Sequence, residues 1–122
     1  WAVAIQWVNR TFITGAPIAG SAVDKAQGVV AYVALGYPFG RLASILFGRH
    51  NKAILESTKP KLFVMGTNDG FTSVKQLESK LKSAAGRVEM HLVPNVGHFQ
   101  MEGPAYDEMM ASLIADFAST VW

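Results

Sequence analysis

Three short apolar runs, separated by helix-like stretches, constrain this sequence more than any other feature. They are Val29 to Leu35 (VVAYVAL), Lys61 to Met65 (KLFVM) and Arg87 to Val93 (RVEMHLV), each of strand length. The first is continuous and rich in β-branched residues, the pattern of a strand buried on both faces in a parallel sheet. In the third, Val88, Met90 and Leu92 alternate with Glu89 and His91. Gly36-Tyr37-Pro38 stops the first run, Pro60 and Gly66 bracket the second, and Pro94 closes the third.

The intervening stretches carry helical periodicity. Ser73 followed three residues later by Gln76 is a capping-box signature. Val74, Leu77 and Leu81 then share one face, with Lys75, Glu78, Lys80 and Lys82 away from it. Gly86 is a suitable stop. A further helix is predicted from about Ala105 to Val121, with Tyr106, Met109, Met110, Leu113, Ile114, Phe117 and Val121 as its apolar stripe. Residues 41–57 read as helix in two pieces, and Ala16 to Lys25 as another with Pro17 near its first turn. The opening, Trp1 to Val8, reads as a strand or a short buried helix.

Strand alternating with helix predicts right-handed βαβ units and an α/β fold: a mostly parallel sheet of three or four strands flanked by helices. Chemistry in such sheets sits outside the carboxyl ends of the strands. That singles out the loops at 36–40, 66–73 and 94–103.

Composition removes whole classes of function. The chain has 122 residues, half hydrophobic and only 16% charged, so a core can form and disorder is excluded. No apolar run approaches the roughly 18 residues of a membrane span. A net charge of +2 is too balanced for a nucleic-acid surface. The absence of Cys excludes disulfides, thiolate zinc sites and a cysteine nucleophile. Three scattered His give no metal spacing. Neither GxGxxG nor a phosphate loop is present, so no cofactor is expected. Repeats and charge blocks are absent too: residues 1–50 carry +3 and residues 51–122 carry −1, which marks no boundary. With no targeting pattern, the cytoplasm is the default location. The chain begins with Trp1 rather than Met and reads as a fragment or a processed piece.

Two of the three loops contain residues able to do acid–base chemistry. Asp69 lies in Gly66-Thr67-Asn68-Asp69-Gly70, just past a strand and just before a helix. Asn-Asp-Gly is also good turn chemistry, the plainer reading. His98 lies in Pro94-Asn95-Val96-Gly97-His98-Phe99. Neighbouring parallel strands lie about 5 Å apart, so their carboxyl-end loops meet. A carboxylate hydrogen-bonded to an imidazole fixes its tautomer and stabilises its protonated form, which makes the His a general base. In the third loop, Tyr37, Pro38 and Phe39 either line a pocket or pack the loop. His91 reads as an ordinary sheet residue.

KPKLFVMGTNDGFTSV at 59–74 and VEMHLVPNVGHFQ at 88–100 resemble the C-terminal half of an α/β-hydrolase, of the small lidless dienelactone-hydrolase-like type. In that family the acid comes after the penultimate strand and the His after the last, which places Asp69 and His98 as two members of a catalytic triad. The segment at 15–40 resembles the helix, strand and loop that succeed the family's nucleophile elbow. The resemblance implies a partial α/β-hydrolase fold over residues 15–122 behind a divergent segment, residues 1–14. It also implies hydrolysis of an ester, thioester or amide bond in a small-molecule substrate.

The elbow itself departs from the family. If Gly15 is the last glycine of G-x-S-x-G, the nucleophile position falls on Ile13 and the first glycine on Thr11. Ile13 has no group that attacks a carbonyl, and a bulky Phe12 is poor in a tight turn. Thr14 stands one residue late and offers at most a backbone amide; Ser21 lacks the flanking glycines and reads as a helix residue. A chain that retains Asp69 and His98 but lacks the serine is expected to be inactive alone. The alternative reading is a non-catalytic, hydrolase-like binding module that self-associates through an open sheet edge.

Overall fold

The computed structural model describes residues 2–6, 15–25 and 27–121. Four strands form one sheet in the order β1-β2-β3-β4: β1 (Ala2–Gln6), β2 (Val29–Leu35), β3 (Lys61–Gly66) and β4 (Val88–Val93). All three pairings are parallel, with Val33 opposite Leu62 and Phe63 opposite Met90. Within the opening segment Ala2–Gln6 is thus a strand, and the three apolar runs supply the other three. Right-handed crossovers are the rule for such parallel units, and each connection here carries a helix. These are α1 (Gly15–Ala22), α2 (Arg41–Glu56) and α3 (Val74–Lys82), with α4 (Asp107–Ser119) after β4.

The alternation of side chains along β2 and β3 divides the core into two layers. Tyr32, Ala34, Phe63 and Met65 face the layer that holds Ile54 of α2 and Leu77 of α3. Ala31, Val33, Leu62 and Val64 face the layer closed by Met110 and Phe117 of α4. Both faces of the central strands are therefore covered, which is why those runs are apolar without interruption. β4 is covered less completely: Met90, which the alternation groups with Val88 and Leu92, remains 39% exposed, a departure from the pattern that fits a strand at the edge of the sheet. Each fully buried large side chain, such as Phe63, contributes about 1.5–3 kcal/mol relative to leaving it in water.

The helices keep closely to their sequence signals. Ser73 caps α3 and its hydroxyl accepts from the Gln76 amide at 3.1 Å, while the Gln76 side chain accepts from the Ser73 amide at 2.8 Å. α2 is interrupted at Phe47 (φ −125°, ψ 20°), the two-piece helix that the pattern implied. Gly86 differs from expectation. α3 ends at Lys82, and Gly86 instead adopts φ +72° in the turn into β4. A Cβ there would strike the Thr58 carbonyl oxygen, so the glycine serves a close approach of backbones. Before α4, residues 100–102 and 104–106 form two 3₁₀ turns, and Pro104 begins the second. The apolar stripe from Tyr106 to Val121 lies against the α4 layer as the spacing predicts.

Candidate active site

β2, β3 and β4 end at one rim, and their three loops are pinned together there. The Thr67 amide donates to the Val93 carbonyl at 2.9 Å, and the Asn68 amide to the Val96 carbonyl at 3.0 Å. The Thr67 hydroxyl accepts from the Asn95 amide at 2.8 Å. Gly66 leaves room for this contact, since a Cβ would run into the Val96 carbonyl oxygen. Asn95 takes a left-handed conformation (φ 59°), which asparagine tolerates better than most residues.

These bonds bring Asp69 and His98 into contact. Asp69 Oδ2 lies 2.7 Å from His98 Nδ1, and both side chains are almost wholly buried. Asp69 Oδ1 accepts from the Phe71 amide at 2.7 Å and the Thr72 amide at 3.0 Å. One carboxylate therefore makes the turn with one oxygen and holds the imidazole with the other. The turn and the contact with His98 are compatible, because they use different atoms.

An ionised carboxylate only accepts hydrogen bonds, so Nδ1 carries the ring proton and Nε2 is left as the basic nitrogen. The ring is fixed on its other sides as well. Phe71 and Phe99 stand edge-on to it, with centroids at 4.9 and 5.2 Å. Gly36, at the end of β2, presses against it in a left-handed conformation (φ +70°); a Cβ there would lie 2.8 Å from His98 Cε1 and 3.0 Å from Nδ1.

The third loop supports the site rather than lining it. Tyr37 and Phe39 are buried and stack with centroids 4.4 Å apart, beside Phe63. Of the two alternatives for this loop, packing is the one observed. The Tyr37 hydroxyl donates to Asn51 Oδ1 at 2.9 Å. Burial pushes the Tyr37 pKa well above the usual phenol value, so it stays neutral.

Thr72 ties this loop to the acid loop. Its hydroxyl accepts from the Phe39 amide at 2.7 Å and donates to the Tyr37 carbonyl at 3.0 Å. Sequence reasoning missed Thr72 entirely, since nothing local distinguishes a threonine in a turn. The importance of Gly36 was partly readable from a glycine at a strand end on the rim that bears the chemistry.

Ser21 lies in α1, where its hydroxyl donates to the Ile18 carbonyl at 2.7 Å, as a helix residue would. The expected elbow positions, Thr11, Phe12, Ile13 and Thr14, lie outside the described residues. Among the described residues, no group of three or more His, Cys, Asp or Glu stands placed to hold a metal ion. No helix among them is long and apolar enough to cross a membrane.

No protein-family model and no curated protein matches the sequence. Solved structures do match it. An α/β serine hydrolase homologue from Coxiella burnetii superposes with a TM-score of 0.61 at 20% identity, over 84% of this chain and 44% of that one. An esterase from Pyrococcus furiosus gives 0.64 at 15% identity, over 88% and 50%. Esterase 2 from Thermogutta terrifontis gives 0.65 at 14% identity, over 88% and 52%. The chain spans about half the length of the solved structures it resembles.

Proposed function

From the premise that this chain has part of an α/β-hydrolase fold, we propose that Asp69 and His98 are the acid and general base of a hydrolase site. The bond cleaved is an ester, thioester or amide in a small molecule. These 122 residues do not by themselves supply the nucleophile. The observation that carries this reading is the 2.7 Å contact between Asp69 Oδ2 and His98 Nδ1 across two adjacent strand ends.

In this reading His98 Nε2 takes a proton from an attacking hydroxyl and later returns it to the leaving group. Asp69 stabilises the imidazolium formed between those steps. Loss of the nucleophile serine in a comparable triad costs about 10⁶ in turnover. The chain alone is therefore expected to give no burst of p-nitrophenol from p-nitrophenyl acetate. A burst that disappears in Asp69→Asn and His98→Ala would overturn the missing nucleophile and leave an active enzyme.

A second reading, a non-catalytic module of the same fold, is favoured by the Thr11-Phe12-Ile13-Thr14-Gly15 sequence where the elbow motif is expected. The double substitution Thr11→Gly/Ile13→Ser restores G-x-S-x-G and separates the two. A His98-dependent burst in that variant supports the hydrolase reading. No burst, while the Nδ1 proton is still seen by NMR at low field, supports the module.

A further inference from the structure

A hollow of about 540 Å³ opens between α2 and α3, within the roughly 300–1,000 Å³ typical of small-molecule sites. Neither Asp69 nor His98 lines it, nor do Gly36 and Phe71 beside them. Ser44, Gly48, Asn51, Lys52 and Leu55 bring one side of α2 to it, and Lys80 comes from α3. Asn51 is the unusual member. It is only 5% exposed, and its Oδ1 accepts from the Tyr37 hydroxyl. Its Nδ2 is buried and makes no hydrogen bond among the described residues. A buried donor left without an acceptor is costly. Nδ2 is therefore the point in this hollow where an acceptor from outside the fold gains most.

The walls decide the charge of that acceptor. An adjoining hollow of about 580 Å³ meets the first at Ser44 and Lys80 and adds Arg41 and Lys75. Glu56, the one acidic residue among the described lining, lies 3.8 Å from Lys52, and the two offset each other. Arg41, Lys75 and Lys80 then stand as excess positive charge in the walls. Leu55 and Ala85 add apolar contact, which suits an organic ion better than a bare one. We propose that the hollow between α2 and α3 binds a small organic anion whose carboxylate or phosphate oxygens accept from Asn51 Nδ2 and pair with Lys80. Hydrogen bonds to an ionised acceptor are about twice as strong as neutral ones. Lysine meets either group as a point charge, so the two share this chemistry. The proposal does not depend on the hydrolase reading.

The test follows the side-chain amide resonances of Asn51 in the whole protein by NMR, as succinate or inorganic phosphate is added at constant ionic strength. The Asn51 pair shifts and saturates. Saturation with succinate alone assigns a carboxylate ligand, with phosphate alone a phosphorylated one, and with both an anion site open to either. Lys80→Gln weakens binding by about tenfold, the loss of one charged hydrogen bond. Lys82→Gln removes the same charge from an exposed position outside the hollow and leaves binding intact. Gly48→Leu fills the hollow and abolishes binding. A Cβ at Gly48 meets nothing within 4 Å, and leucine is the better helix former, so the fold tolerates the change. An Asn51 pair that stays in place or never saturates with both anions, or an equal effect of Lys80→Gln and Lys82→Gln, overturns the proposal. The titration involves no step at His98, so its failure is distinct from failure of the burst experiment.

Discussion

Asp69 shows how one side chain satisfies two demands. Its Oδ1 closes the turn after β3, and its Oδ2 is left to orient His98. That economy depends on His98 having a single place to stand, and Gly36 helps to define it. Gly36→Ala is expected to destabilise the fold by roughly 1–3 kcal/mol, because alanine is strained at φ +70°. The added Cβ also displaces the imidazole, so the low-field Nδ1 proton resonance should vanish with it. An alanine variant that keeps the resonance would mean that the ring is not held by this contact. At the opposite rim, Lys61 is fully buried and its ammonium donates to the Ser57 and Ala85 carbonyls, each at 2.6 Å. Burial lowers its pKa, with Asp24 partly opposing the shift. The unfolded chain keeps an ordinary lysine value of about 10.4. Between the lowered folded value and that one, the unfolded state binds more protons, so this group makes stability rise with pH. Urea midpoints of the unsubstituted protein should therefore climb through that window relative to those of Lys61→Met. Parallel curves would contradict the shift.

Elements differ in how much of their stabilisation is local, and that difference sets what the sequence discloses. The cap of α3 involves Ser73 and Gln76, three residues apart, and so was readable as a pattern. Ser73→Ala should cost about 1 kcal/mol in a denaturation experiment. Thr72, one residue earlier, acts over a separation of 35 residues, and no pattern announces it. Thr72→Val removes both of its buried bonds and leaves the Phe39 amide and the Tyr37 carbonyl without partners. Each orphaned group costs roughly 1–3 kcal/mol, so this substitution should be the more damaging of the pair. Equal losses at the two positions would show that Thr72 does not join the loops. The same logic explains the Tyr37-Pro38-Phe39 segment. Its aromatic residues had two physically sound uses, and only the position of Phe63 on the neighbouring strand decides for packing. Gly86 was misplaced for a related reason: its left-handed turn answers to Thr58, far away in the chain, rather than to the end of α3.

At the scale of the whole molecule, the sheet has two unequal edges. β4 pairs with β3 and is only partly buried along most of its length, as suits an outer strand. β1 (AVAIQ) has the continuous apolar character of a central strand, yet among the described residues it pairs only with β2. The parallel order and the meeting of Asp69 with His98 were legible because strand–helix alternation dictates them. What lies beyond β1 was not, since the pairing of a strand edge is a property of the assembled sheet. Unsatisfied backbone groups along an apolar edge favour pairing with another chain. Sedimentation velocity over a range of concentrations should show reversible self-association of this chain. Ala4→Lys, placing a charge in β1, should shift the equilibrium toward monomer, because edge lysines oppose strand addition. A monomer at all concentrations, or association indifferent to the lysine, would mean that this edge is not a docking surface. The Asp69–His98 pair lies beyond β2 and β3, so its imidazole resonance should be the same in monomer and oligomer.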